Sequence, residues 1–277
     1  MSQPRHRGHA VTVEARSGSG HNRARPGGVS VMEDHKIFGV HLNPLDAAAL
    51  AVFFAGWIGY TWFAADRGSK RACLTSTMGE WREDWARQML VRDNRMVDMQ
   101  LIAGLLRIAT FFASTTILIV AGLSAALGAA DQMMSLVTDL PFVQTASRAV
   151  WEIKILMLIV IFIYAFFKFT WCIRLHSYCA TLVGAAPPPP EEGSPGAGSL
   201  AYAHDVARVS TLASLHFNNG LRAYYFGLAA VTWFLHPYAV FAATVWVILV
   251  LYRREFRSRA LGILRSASMA GRIEGGA

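Results

Sequence analysis

Two groups of polar side chains and one trio of soft ligands are spaced to do chemistry. Arg92, Asp93, Asn94 and Arg95 stand in a row, with Asp98 just beyond. On a helix Arg95 and Asp98 are i,i+3 neighbours and can pair. One reading is a docking or anionic-ligand site; the plainer one is a solvated face that neutralises itself. The second group is His216, Asn218, Arg222 and Tyr225. Asn218, Arg222 and Tyr225 fall at i, i+4 and i+7 and share one helical face. An arginine alone at a membrane boundary reaches for the headgroups. Asn, Arg and Tyr together also suit an anion or a hydrogen-bond network between helices.

The trio is Cys172, His176 and Cys179, again at i, i+4 and i+7. Zinc or copper uses such ligands. Local spacing offers no fourth ligand, and His204 and His216 are the alternatives. The reading assigns no metal and no cofactor. Ser114, Thr115 and Thr116 interrupt an apolar run, but such hydroxyls can bond back to their own helix. A path for a solute is the rival reading. His236 precedes Pro237 and is expected to cap a turn. HExxH, the P-loop pattern, GxSxG and CxxC are all missing. No catalytic residue is assigned, and the chain is not expected to be an enzyme.

The elements that must position these residues follow from composition. Of 277 residues, 54% are apolar and only 16% charged. Soluble domains carry about 25% charged residues. The net charge of +8 does not point to nucleic acid, because the basic residues flank apolar runs rather than forming one face. Crossing about 30 Å of hydrocarbon takes about 20 apolar residues. Runs near 45–65, 108–128 and 149–173 meet that length. Asn43, Pro44 and Asp46 form the start signal of the first. Ala55 with Gly59, and Ser124 with Gly128, are small-xxx-small pairs that suit close helix contact; for Ala55 with Gly59 a lipid-facing groove is the alternative. Glu152 and Lys154 sit at one end of the third run. Lys168 sits at the other, among aromatics, where it can snorkel.

The last apolar region, Leu221 to Tyr252, would be about 48 Å long as one helix, too long for a single crossing. His236-Pro237 interrupts it. The expected architecture is therefore an all-α polytopic bundle of about five spans, the last two a short hairpin near 220–235 and 238–252. The alternative is four spans, the last one kinked. Residues from Gly79 to Arg107 have no proline and should form an amphipathic cytoplasmic helix, lying on the membrane or running into the second span. Residues 1–31 are expected to be a disordered extension, with Met32 as an alternative start. Residues 32–265 form one membrane domain, 184–199 a Pro/Gly-rich cytoplasmic loop, and 266–277 a disordered tail.

Orientation follows the arginines. The 66–107 stretch holds eight basic residues, and the tail holds Arg253, Arg254, Arg257, Arg259 and Arg265. The 129–148 loop has one, Arg148, against Asp131 and Asp139. The positive-inside tendency puts the C-terminus in the cytoplasm of a bacterial-type inner membrane. All three cysteines then fall on the reducing side.

Three segments carry a resemblance: RDNRMVDMQLIAGLLRIATFFASTTILIVAGL, YAFFKFTWCIRLHSYCATLVGAAP and HFNNGLRAYYFGLAAVTWFLHPYAVFAATVWVILVLYRREFRSRAL. From Leu45 to Leu264 the chain resembles the bacterial membrane family called domain of unknown function 599. The resemblance implies a multi-pass bundle and supplies no catalytic residues. The functional expectation is a scaffold or accessory protein that binds a protein partner or anionic lipid on its cytoplasmic side, alone or as a homo-oligomer. The alternative is an oligomeric transporter or channel for a small solute or ion. A membrane-embedded enzyme ranks third.

Overall fold

The computed structural model describes residues 36–37, 40–41, 43–70, 73–138, 147–191 and 193–274. The expected disorder of 1–31 and the alternative start at Met32 lie outside the described residues. Two residue pairs, β1 (Lys36–Ile37) and β2 (Val40–His41), form a short antiparallel ladder. Elsewhere the described residues form helices joined by non-helical turns and loops. The helices are α1 (Pro44–Lys70), α2 (Leu74–Leu90), α3 (Met96–Gly128), α4 (Ala130–Thr138) and α5 (Arg148–Ala185). After them come α6 (Ala197–Val231), a 3-10 turn (Thr232–Phe234), α7 (Pro237–Phe256) and α8 (Arg259–Glu274).

Among the described residues, three helices are long and apolar enough to cross a membrane: Pro44–Ala64, Met96–Gly128 and Arg148–Ala185. The start signal of the first is as expected. Asn43 Oδ1 accepts the Leu45 amide at 3.3 Å, and Ser147 Oγ accepts the Val150 amide at 3.4 Å. In the most apolar windows of the three, only 22%, 17% and 39% of residues are buried. Trp62, Leu118, Phe111, Val160 and Phe167 all point outward. A chain in water would bury such side chains. The break at His236-Pro237 is also as expected: His236 Nδ1 accepts the Tyr238 amide at 3.2 Å, and Pro237 opens α7.

Several expectations need correction. The 79–107 helix is two helices, broken at 91–95. Asn94 Oδ1 takes the Met96 amide at 2.9 Å and so starts α3 afresh. The 129–148 loop contains α4. The third run continues as helix to Ala185, well past Ile173, and stops only before Pro187. Ser258 Oγ accepts the Leu261 amide at 3.2 Å and starts α8, which carries helix into the 266–277 tail as far as Glu274. Ala55 and Gly59 are exposed, and nothing lies within 4 Å of a Cβ placed on Gly59 or Gly128. The close approaches are at Gly56 against Thr244, Gly227 against Phe162, and Gly220 against Phe169.

The helices α5 and α6 form a long hairpin at the centre. On it pack α3 along α5, α2 along α6, and α7, which also carries α1. The main core gathers Phe53, Phe162, Phe169, Phe226 and Trp233 from these helices. A second core holds Met89, Leu90, Ile102, Cys179, Val183 and Val206. It gathers α2, the start of α3, the end of α5 and the start of α6. At the opposite end lie the start of α1, the start of α5 and the turn between α6 and α7. There Arg148 pairs with Asp131 at 2.7 Å and with Glu152 at 2.8 Å.

Candidate functional site

The α2 start is built by local chemistry. Cys73 caps it: its Sγ accepts the Ser76 amide at 3.4 Å, while Ser76 Oγ accepts the Cys73 amide at 2.9 Å. That reciprocal box fixes the first turn. Thr75 then meets Glu255 at the end of α7; the carboxylate accepts from the Thr75 amide at 3.1 Å and from its hydroxyl at 2.5 Å. Behind this contact is a cavity of about 240 Å³. Its polar wall includes Arg82, Arg254, Glu255, His176 and Asn218, and its apolar wall Leu105, Ile108 and Phe217.

Arg82 is the unusual member. Its Nη1 is buried and has no hydrogen-bond partner among the described residues. Burial pushes this guanidinium below its ordinary pKa, yet an arginine remains a cation in protein. An orphaned buried donor costs about 1–3 kcal/mol, so the group needs an explanation.

A smaller cavity of about 20 Å³ shares Asn218, Arg254 and Glu255 and adds Tyr60, Arg222 and Tyr225. Arg222 donates to Asn219 Oδ1 at 3.1 Å and lies 5.7 Å from the Tyr60 ring. Arg254 donates to the Tyr225 hydroxyl at 3.1 Å. Three guanidinium groups thus stand around one carboxylate, and the excess is positive.

Of the sequence-derived residues, Asn218, Arg222 and Tyr225 do share one polar lining. His216 is elsewhere, its ring centroid 6.3 Å from that of Trp171. The other five lie together at the α2–α3 turn, where Arg92, Arg95 and Asp98 form a separate clasp. The expected pairing of Arg95 with Asp98 is corrected: Arg92 pairs with Asp98 instead. Asp98 is fully buried and accepts from Trp85 Nε1 at 2.8 Å. Arg95 is drawn off to the Ala186 carbonyl at 2.7 Å and to the Pro187 carbonyl, whose oxygens no helical amide takes up. Asp93 is exposed, and Asn94 is spent on its cap. This cluster therefore ties α2 and α3 to the end of α5. Asp98→Ala is expected to lower stability by about 2 kcal/mol, because Trp85 and Arg92 lose their acceptor. Thermal unfolding in mild detergent reads this; an unchanged midpoint would refute the clasp.

Cys172 and His176 line the cavity of about 240 Å³, whereas Cys179 belongs to the second core. Among the described residues no three His, Cys, Asp or Glu side chains gather to hold a metal. Ser114 is exposed, and Thr115 donates to the Phe111 carbonyl at 2.9 Å. Thr116 donates to the Phe112 carbonyl at 2.6 Å and meets Tyr224 at 2.8 Å. Neither threonine lines the cavities that hold Arg222.

Sequence reasoning missed Thr75, Arg82, Arg254 and Glu255. One signal was present: Glu255 is the lone acid inside a strongly basic tail.

A family model described as Protein of unknown function, DUF599, matches residues 48–260. No curated protein and no solved structure matches the chain.

Proposed function

The chain belongs to the DUF599 family of proteins of unknown function, and on that premise we propose a multi-pass inner-membrane scaffold or accessory protein that holds anionic lipid or a partner on its cytoplasmic side. The observation that carries this reading is the division of the bundle. Its flanks present apolar side chains outward, and its two ends differ in charge. The α2 end gathers Arg82, Arg87, Arg92, Arg95, Arg222 and Arg254, with the other tail arginines in α7 and α8. The opposite end has Arg148 and Lys154, facing Asp131, Glu152 and Asp46.

Five crossings with an outward N-terminus agree with this division. Such a path puts α2, the start of α3, the end of α5, the start of α6 and the end of α7 at one end. The second core and the Thr75–Glu255 contact join those same pieces. The helices α6 and α7 pack on each other across the His236-Pro237 break, as a hairpin must. The 20 residues of α7 span about 30 Å, enough for one crossing. Basic residues at the inner end attract anionic headgroups, at about 1 kcal/mol each near the surface. The reading has no catalytic step.

The transport reading needs Thr115, Thr116 and Arg222 around one path; instead the Thr115 hydroxyl bonds to its own helix, and the Thr116 hydroxyl to its own helix and to Tyr224.

A reporter active only in the cytoplasm, fused after Arg265, is expected to be active; one inserted at 139–146 is expected to be silent. An extracytoplasmic signal after Arg265 would remove the five-span arrangement.

A further inference from the structure

We propose that the cavity between Arg82 and Arg254 binds the phosphate headgroup of one anionic membrane lipid, whose acyl chains leave over Leu105 and Ile108. The inference rests on the reading that this end of the bundle lies at the cytoplasmic membrane face, and it names an individual site there. Three observations meet in the cavity.

The first is charge. Arg82 and Arg254 both line it, Arg222 stands in the adjoining hollow, and Glu255 is the acid between them. Glu255 Oε1 accepts from the Thr75 amide and hydroxyl, and no hydrogen bond joins the carboxylate to Arg82 Nη1. A phosphate oxygen supplies what the buried Arg82 Nη1 lacks. The second is supporting donors: Asn218 and His176 face the same space, and both offer N–H groups to an oxyanion.

The third is the shape of the exit. Leu105 and Ile108 line the cavity and are also exposed, at 43% and 50%. They lie on α3, one of the helices apolar enough to cross a membrane, at the end next to α2. The mouth is thus apolar and opens sideways. A free inorganic phosphate gains nothing from such a wall; an acyl chain does. The volume sets a limit as well. At about 240 Å³ the cavity is below the roughly 300–1,000 Å³ of drug-sized pockets. It admits a headgroup, and the chains must lie outside.

The test uses the full chain in mild detergent, with native mass spectrometry to count retained lipid. Phosphatidylglycerol and phosphatidate are titrated against phosphatidylcholine, and inorganic phosphate is added as competitor. The expected result is one tightly held anionic lipid per chain, bound at least tenfold more weakly by Arg82→Gln. Arg87→Gln, on the exposed Glu83/Asp84 side of α2, should change nothing. Ile108→Trp, an apolar exchange at the exposed mouth that leaves the arginines in place, should also weaken retention. It keeps the test valid if the Arg82 variant fails to fold.

Equal retention by Arg82→Gln and Ile108→Trp overturns the site while leaving general surface attraction intact. Equal retention of phosphatidylcholine by the wild-type chain overturns both the site and the lipid part of the functional reading. Displacement of the lipid by millimolar phosphate overturns the assignment to lipid, because the ligand would then be a free anion.

Discussion

Asp46→Ala is expected to destabilise the protein by about 3 kcal/mol. Asp46 lies in the first turn of α1, only 8% exposed, and accepts the Trp233 indole N–H at 2.6 Å. Lys154 comes from α5, 5% exposed, and donates its ammonium to the Trp233 carbonyl at 2.9 Å. Its Nζ also lies 5.0 Å from the Trp233 ring centroid. One tryptophan thus bridges an acid and a base from two helices at the turn between α6 and α7. Truncating the acid leaves a buried indole donor unpaired and removes the carboxylate whose charge acts on the Lys154 ammonium. Breaking one side of a buried charged pair costs more than the pair contributes. Asp46→Asn keeps an acceptor and should cost less. The double variant with Lys154→Met should recover part of the loss, since it removes the stranded cation. Unfolding in a detergent titration, followed by tryptophan fluorescence, measures these variants and Lys154→Met alone. Strictly additive single effects would show that Asp46 and Lys154 do not act together.

Gly220→Val should be comparably damaging, by about 3 kcal/mol. A Cβ at Gly220 would stand 2.6 Å from the Phe169 ring. That ring cannot retreat cheaply. It is fully buried, stacked on Phe112 at 5.4 Å and flanked by Phe217 and Tyr224 at 5.5 and 5.7 Å. Any added methyl must push the ring out of its rotamer or part α5 from α6. Gly59→Ala is the companion experiment. Nothing lies within 4 Å of its Cβ, so the change should be neutral or stabilising by about 0.5–1 kcal/mol, from helix propensity alone. If Gly220→Val melts with the wild type while Gly59→Ala does not, the packing at α5–α6 is misread.

These two glycines show what the sequence discloses. Gly59 lies inside an apolar run and Gly220 at the edge of one, and the spacing around Gly59 fits a known contact pattern better than that around Gly220. The contact is nevertheless at Gly220, because what decides it is the ring facing it from another helix. The features that depend on composition over a window were legible: three long apolar helices, the break at His236-Pro237, and the accumulation of arginine at one end. So was the local cap at Asn43. Partnerships across long separations were not. Glu255 reaches back 180 positions to Thr75, and Trp233 reaches back 187 to Asp46. Neither pair leaves a periodic trace. The RDNR row was visible as a cluster but misread in role. The carbonyls that claim Arg95, those of Ala186 and Pro187, follow the last turn of α5 and lie 91 and 92 positions away.

The unbroken length of α5 has a mechanical consequence. Its 38 residues extend about 57 Å, against roughly 30 Å of hydrocarbon. No proline interrupts it, and α6 stiffens it along most of its path. In the proposed five-span arrangement this excess length projects the α5–α6 pair beyond the hydrocarbon, so a change of bilayer thickness that alters its tilt would displace the projecting tip further than the embedded part.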